Sequence, residues 1–127
     1  MTTSKPPRPT DAELAILRIL WERGPSTVRQ VAEALGREAG YTTVLKLLQI
    51  MTEKRLVVRD EAERTHIYQP AYTQDQTQRQ LVTDLLDRVF DGSAAQLVLQ
   101  ALATNKTSPE ELDEIRKLLA TKSGGSR

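Results

Sequence analysis

The sequence predicts a mainly α-helical chain with one small β-hairpin, and three observations support this fold class. Six segments carry apolar residues at the spacing of helices. Pairs of the Ser/Thr-x-x-Glu/Gln type, which cap helix N-termini, precede several of them. Two short runs of strand-forming residues, joined by a charged turn, lie between the third and fourth segments.

Two capped helices begin the folded part of the chain. Thr10 and Glu13 form a capping box at the start of the first helix, which Gly24 ends. Thr27 opens a short second helix in the same way, and Gly36 is suited to end it in a left-handed conformation.

The third predicted helix, about Tyr41 to Lys54, has two different faces. One stripe is apolar and suited to packing: Val44, Leu47, Leu48 and Met51. A second stripe is polar and free to contact another molecule: Thr42, Lys46, Gln49 and Glu53. Residues 56–60 and 64–69 then form the predicted hairpin. This order of elements is typical of a winged helix-turn-helix whose third helix reads DNA.

Three more helices follow, at about residues 72–91, at 94–103 and after the N-cap Ser108. The middle one is apolar on nearly every side, so it must be enclosed. Only about 50 residues are available here, too few for one small core to cover all these side chains. We therefore expect a homodimer. The residues expected at its contact are Leu81, Leu85, Leu97, Val98, Leu112 and Leu119.

These predictions divide the chain into four parts. Residues 1–9, with three prolines, are expected to be a flexible arm. Residues 10–70 form the winged helix-turn-helix DNA-binding domain, and residues 71–121 form the helical dimerisation domain. Residues 122–127 are expected to be a flexible tail.

Composition narrows the function classes. No apolar run approaches the roughly 18 residues that cross a bilayer, and the N-terminus lacks a signal-peptide core, so we expect a cytoplasmic protein without membrane contact. Without cysteine, and with His66 as the one histidine, we expect no metal and no cofactor. No motif for an activated nucleophile or a phosphate loop occurs, which argues against an enzyme.

The net charge of +1 supports nucleic-acid binding only weakly. Residues 1–70 nevertheless hold eleven Lys/Arg against nine Asp/Glu.

Four sequence marks point to a known family: Glu13-Leu14-Ala15-Ile16-Leu17 running to Leu20-Trp21, Tyr41-Thr42-Thr43-Val44, Glu53-Lys54-Arg55-Leu56-Val57 and Tyr68-Gln69-Pro70. With them, residues Thr10 to Thr121 resemble the BlaI/MecI, or penicillinase repressor, family of bacterial transcriptional regulators. The resemblance implies a winged helix-turn-helix and C-terminal helices that form an intertwined dimer. It also implies repression by covering a promoter palindrome, commonly one with TACA and TGTA arms.

Two features of the family are missing here. In its best-known members a membrane-bound sensor protease relieves repression by cutting an Asn-Phe pair in the dimerisation helices. The aligned pair is Gln100-Ala101, so we expect no induction by that protease and another route of release. A copper-sensing branch carries C-terminal Cys-x-Cys motifs, which a chain without cysteine cannot provide.

Four residues of the third helix are expected to contact bases. Lys46 suits guanine and Gln49 suits adenine in the major groove, unless both belong to a solvated face. Thr42 and Thr43 lie in the first turn, where recognition helices approach base edges, although one of them could serve only as a cap.

Contacts to the DNA backbone are expected from Tyr41, Arg59, Arg64 and Arg8. Tyr41 can offer its hydroxyl to a phosphate or its ring to the core. Arg59 and Arg64 flank the hairpin turn and either contact phosphate or the minor groove or are merely solvated. Arg8, with Lys5, either enters a minor groove or belongs to an idle arm.

The sequence therefore predicts a sequence-specific transcriptional repressor that binds a palindromic operator as a homodimer. Two other functions stay open: a winged-helix module that binds protein, and a winged-helix dimer controlled by a small ligand. The polar stripe of the third helix favours DNA over protein. The C-terminal helices show no cluster of polar groups for a ligand.

Overall fold

The computed structural model describes residues 7–36 and 40–125, in which six helices and one two-stranded sheet are present. The helices are α1 (Asp11–Arg23), α2 (Val28–Leu35), α3 (Tyr41–Glu53), α4 (Gln74–Val89), α5 (Ala94–Thr104) and α6 (Pro109–Gly125), and the strands are β1 (Val57–Asp60) and β2 (Ile67–Pro70). The mainly α fold class with a small hairpin is confirmed. The chain divides into two compact units, between Asp84 and Leu85.

Local capping signals set the starts of α1 and α2 as predicted. The Glu13 N–H donates to the Thr10 hydroxyl over 3.2 Å, and the Thr10 N–H donates to the Glu13 carboxylate over 2.9 Å. Thr27 and its partner three residues later make the same reciprocal pair. Gly36 ends α2 with a φ of 82°, but its ψ of −152° lies in an extended region open almost only to glycine. It therefore differs from the left-handed helical cap that the sequence predicted.

One apolar core fills the first unit and joins α1, α2, α3 and both strands. Its buried members are Ile16, Leu17, Leu20, Val28, Val31, Val44, Leu48, Met51, Leu56, Val57 and Tyr68. Trp21 packs against this core while half-buried, and its indole N–H donates to the Tyr72 carbonyl over 3.0 Å. The tryptophan thus fixes the segment that leads into α4.

The strands form an antiparallel hairpin in which Val57 pairs with Pro70 and Asp60 with Ile67. Residues 64–66, predicted as strand, stay in the connection. Ser26, between α1 and α2, adds a bridge to the free edge of β2. Its N–H donates to the Tyr68 carbonyl over 3.0 Å, and the Tyr68 N–H donates to the Ser26 carbonyl over 2.8 Å. The base of the hairpin is thereby tied to the helix-turn-helix.

The boundary between the compact units lies later than the predicted domain boundary at residues 70/71. The start of α4 belongs to the first unit, because Tyr72 accepts the Trp21 hydrogen bond and Thr77 is buried. Thr73 opens α4 with a capping box that the sequence analysis did not identify. The functional division at 70/71 stays a prediction.

The second unit contains α5 and α6. Ser108 and Glu111 cap α6 reciprocally, as predicted. The helix continues to Gly125, whereas a tail was predicted from Lys122; extending an existing helix needs no new nucleus, and Lys122 suits its C-terminal dipole. No residue of α5 is buried within the described chain. Across residues 7–36 and 40–125, no helix has the length and apolar character that spanning a bilayer requires.

Candidate nucleic-acid interface

The two faces of α3 are separated as the sequence predicted. Val44, Leu48 and Met51 are fully buried, and they hold one side of the helix against the core. Leu47, predicted on the same stripe, is half-buried. The four side chains predicted to contact bases are all exposed on α3: Thr42, Thr43, Lys46 and Gln49. Their positions are fixed by packing on the opposite side of the helix, so the core holds the polar face in place.

The start of α3 differs from the starts of α1 and α2. Its N-cap is Gly40, and no described side chain caps it. Neither Thr42 nor Thr43 therefore serves as the cap. The first N–H groups of a helix have no partner inside it, and together with the helix dipole they attract anions. The uncapped end of α3 is thus suited to a phosphate or to the edge of a base.

Tyr41 lies at this uncapped end and is 49% exposed, so its ring is not part of the core. The guanidinium carbon of Arg29, in the first turn of α2, lies 5.8 Å from the centre of the ring. This is a cation–π contact. Arg29 was not among the residues predicted from the sequence. A signal was available, because a cation in the first turn of a helix is disfavoured by the dipole.

A concave pocket of about 460 Å³ lies where α2, α3 and the hairpin connection meet. Its described lining is Thr27, Val28, Arg29, Tyr41, Leu45, Arg64, Thr65, His66 and Tyr68. It brings together Tyr41 and Arg64, two of the four residues predicted to contact the DNA backbone. His66 lines the same pocket while half-buried.

The other two predicted backbone contacts, Arg59 and Arg8, are paired with carboxylates. Arg59 on β1 is 2.6 Å from Glu61, and Arg8 is 3.5 Å from Asp84 on α4. Hydrogen bonding with the Tyr68 side chain and the charge of Glu61 raise the pKa of Arg59, against the opposing effect of burial. In both pairs the carboxylate offsets part of the arginine's charge, which weakens its attraction for phosphate.

A buried ion pair fixes the far end of α3. The Lys54 Nζ lies 2.7 Å from a carboxylate oxygen of Glu13, whose side chain is only 3% exposed. Burial raises the pKa of Glu13, but hydrogen bonds from Lys54 and the Thr10 N–H outweigh it and leave the pKa lowered. Because Glu13 belongs to the first turn of α1, the pair joins the start of α1 to the end of α3. The sequence analysis did not predict it.

The sequence profile of the penicillinase repressor family matches residues 9–121. The chain belongs to that family. It is 36% identical over 118 residues to the transcriptional regulator BlaI of Mycobacterium tuberculosis, covering 91% of this chain and 85% of the relative. It is 22% identical over 117 residues to the penicillinase repressor of Bacillus licheniformis, covering 91% of each.

The fold of this chain is similar to that in a solved structure described as the complex structure of hsRosR-SG, with a TM-score of 0.53. The two sequences are 17% identical, and the match covers 98% of this chain and 100% of the other. Membership in the penicillinase repressor family confirms the resemblance seen in the sequence. The chain is therefore a winged-helix, DNA-binding transcriptional regulator and not an enzyme.

Proposed function

We propose that the chain is a sequence-specific transcriptional repressor that binds a palindromic promoter operator as a homodimer, with α3 of each copy in the major groove. One observation carries the proposal: α3 is held by a fully buried stripe and presents Thr42, Lys46 and Gln49 on an exposed polar face. A helix about 10–12 Å wide fits the major groove of B-DNA.

The base contacts in this proposal come from the exposed face of α3. Lys46 donates to the acceptors O6 and N7 of guanine, and Gln49 pairs with the N6 and N7 edge of adenine. Thr42 and Thr43 lie one turn earlier, beside the uncapped N–H groups. These four residues decide the operator sequence.

The proposed contacts to the DNA backbone differ in strength, because some of these side chains are paired with carboxylates in the free protein and others are not paired with any described carboxylate. Tyr41 and Arg64 are exposed beside the pocket, so they can bind phosphate directly. The charges of Arg59 and Arg8 are partly offset by Glu61 and Asp84. We therefore expect Arg64 to contribute more affinity than Arg59 or Arg8.

A homodimer explains the exposed apolar surface of the second unit. Large apolar side chains that are 37% to 61% exposed occur on all three C-terminal helices: Leu85, Val89, Val98, Leu99, Leu102, Leu118 and Leu119. Leu81, Leu97 and Leu112 are half-buried. Such a surface is unfavourable in water, and a two-fold pair of identical chains is the commonest way to cover it. Two copies also match the two halves of a palindrome.

Selection from a random duplex pool with the full-length chain tests this function. We expect enrichment of one palindrome, bound by two copies. Lys46→Ala and Gln49→Ala should each lose about 1–3 kcal/mol of discrimination at one base position, whereas Arg64→Ala should weaken binding to all sequences alike. Arg79→Ala, on an exposed residue of α4 paired with Asp75, is the control. Failure to enrich any sequence would contradict the proposal. An equal loss on operator and random DNA for Lys46→Ala would remove that residue from the base contacts.

A further inference from the structure

The pocket between α2, α3 and the hairpin connection lies beside the base-reading face of α3 and contains residues that this face does not use. Its floor contains the buried residues Val28 and Tyr68, and its rim carries two exposed arginines, Arg29 and Arg64, from different elements. None of the described residues that line it carries a carboxylate. The described part of the pocket is therefore positively charged and suited to an anion.

The first turns of two helices meet at this pocket. Arg29 follows Thr27, the N-cap of α2, by two positions, and Tyr41 is the first residue of α3 after its uncapped Gly40. Both helix dipoles attract negative charge there. The same dipole disfavours an arginine in the first turn of α2. An anion bound beside Arg29 would remove that unfavourable interaction.

Among the described residues, Arg29 contacts the Tyr41 ring and has no acidic partner. Its guanidinium carbon lies 5.8 Å from the ring centre, within cation–π distance. Within residues 7–36 and 40–125 no carboxylate forms an ion pair with Arg29 or Arg64, in contrast to Arg59 and Arg8. A guanidinium in cation–π contact with a ring still offers N–H donors, and a phosphate can accept two of them.

We propose that this pocket binds one backbone phosphate of DNA, that Arg29 is its main ligand, and that the Tyr41 ring positions the Arg29 guanidinium. Arg64 adds a second positive charge from the hairpin connection. This assignment rests on the proposed DNA-binding function and adds a contact to it. Because α3 begins at the same pocket, the bound phosphate sets how far α3 enters the groove.

Salt-dependent binding of the full-length chain to duplex DNA tests the role of Arg29. Arg29→Gln should weaken binding about tenfold on operator and random DNA alike. The plot of the logarithm of the binding constant against the logarithm of the salt concentration should become less steep, by about 0.9 for each phosphate that the protein no longer neutralises. On a palindrome with two copies bound, the change should be about twice as large. Arg79→Gln removes the same charge from α4 and should leave the slope unchanged.

The role of the ring is tested by comparing Tyr41→Phe with Tyr41→Leu. Both remove the hydroxyl, and only Tyr41→Leu removes the ring. We expect Tyr41→Leu to bind several-fold more weakly than Tyr41→Phe in the wild-type background, and the two to bind equally when Arg29→Gln is also present. Equal affinities in the wild-type background would contradict the positioning role.

The outcomes separate this inference from the proposed function. If the unaltered chain binds no DNA, the proposed function and the inference both fail. If it binds and Arg29→Gln keeps the affinity and the salt slope, only the inference fails. If Arg29→Gln binds weakly with an unchanged slope, Arg29 is structural and not a phosphate ligand. Circular dichroism of each variant checks that the helices are retained.

Discussion

Leu119→Ala should dissociate the proposed homodimer, by an amount that follows from the exposure of this side chain. Leucine has three carbons more than alanine, and burying them is worth about 2.4 kcal/mol at about 0.8 kcal/mol each. In the single chain Leu119 is 60% exposed. Covering this exposed part with a second copy therefore stabilises the dimer by about 1.4 kcal/mol for each Leu119. A two-fold contact contains two such residues, which gives about 3 kcal/mol and raises the dimer dissociation constant about a hundredfold.

Sedimentation equilibrium over a range of concentrations measures this change. Lys117→Ala is the matched control, because Lys117 lies on the same helix and pairs with Asp113 on its exposed surface. We expect a dissociation constant close to that of the unaltered chain for the control. An unchanged dissociation constant for Leu119→Ala would refute the placement of this residue in the contact. A stable monomer of the unaltered chain at micromolar concentration would refute the dimer itself.

Three further predictions concern stability and induction. Glu13 has a lowered pKa in the folded chain, so its contribution to stability is present above its ordinary value of 4.5 and is lost as the pH falls through the folded value. Glu13→Gln should therefore lower the free energy of unfolding by about 2 kcal/mol at pH 7 and by progressively less as the pH falls below 4.5, in urea titrations with Glu22→Gln as the control. Gly36→Ala should lower the free energy of unfolding by about 1–3 kcal/mol, because the backbone there has a φ of 82° and a ψ of −152°. The added methyl group would meet no neighbour among the described residues, so the loss would come from backbone strain alone. Thermal unfolding that matches the unaltered chain would disprove this strain. A family sensor protease should leave the Gln100-Ala101 bond intact. The large aromatic side chain of the usual site is replaced by the methyl group of Ala101, and the bond lies inside α5. Efficient cleavage between these two residues, found by mass spectrometry, would contradict this prediction.

Elements that depend on local signals were predictable from the sequence. Capping boxes act over three residues, so the starts of α1, α2 and α6 follow from Thr10, Thr27 and Ser108. The two faces of α3 follow from the period of its apolar residues. The exposed polar face that carries the candidate site was therefore visible in the sequence.

Contacts between distant parts of the chain could not be predicted in this way. Glu13 and Lys54 are 41 positions apart, and Trp21 and Tyr72 are 51 apart. Spacing along one helix carries no information about such pairs. The cation–π contact between Arg29 and Tyr41 depends in the same way on how α2 and α3 pack. Sequence patterns identify the residues of the helix face, and packing adds the pocket beside it.

The bridge between Ser26 and Tyr68 determines where the hairpin can bend. Backbone hydrogen bonds on both edges hold β2, so its base must move together with the turn between α1 and α2. The connection at residues 61–66 lies beyond this bridge, so we expect bending of the hairpin to occur there. In the proposed complex, the tip of the hairpin can follow a DNA groove whose width varies with sequence, whereas the base of the hairpin moves together with the helix-turn-helix. We expect DNA that does not fit this arrangement to deform on binding, so that the energy of the deformation contributes to the choice of operator at base pairs that no side chain contacts.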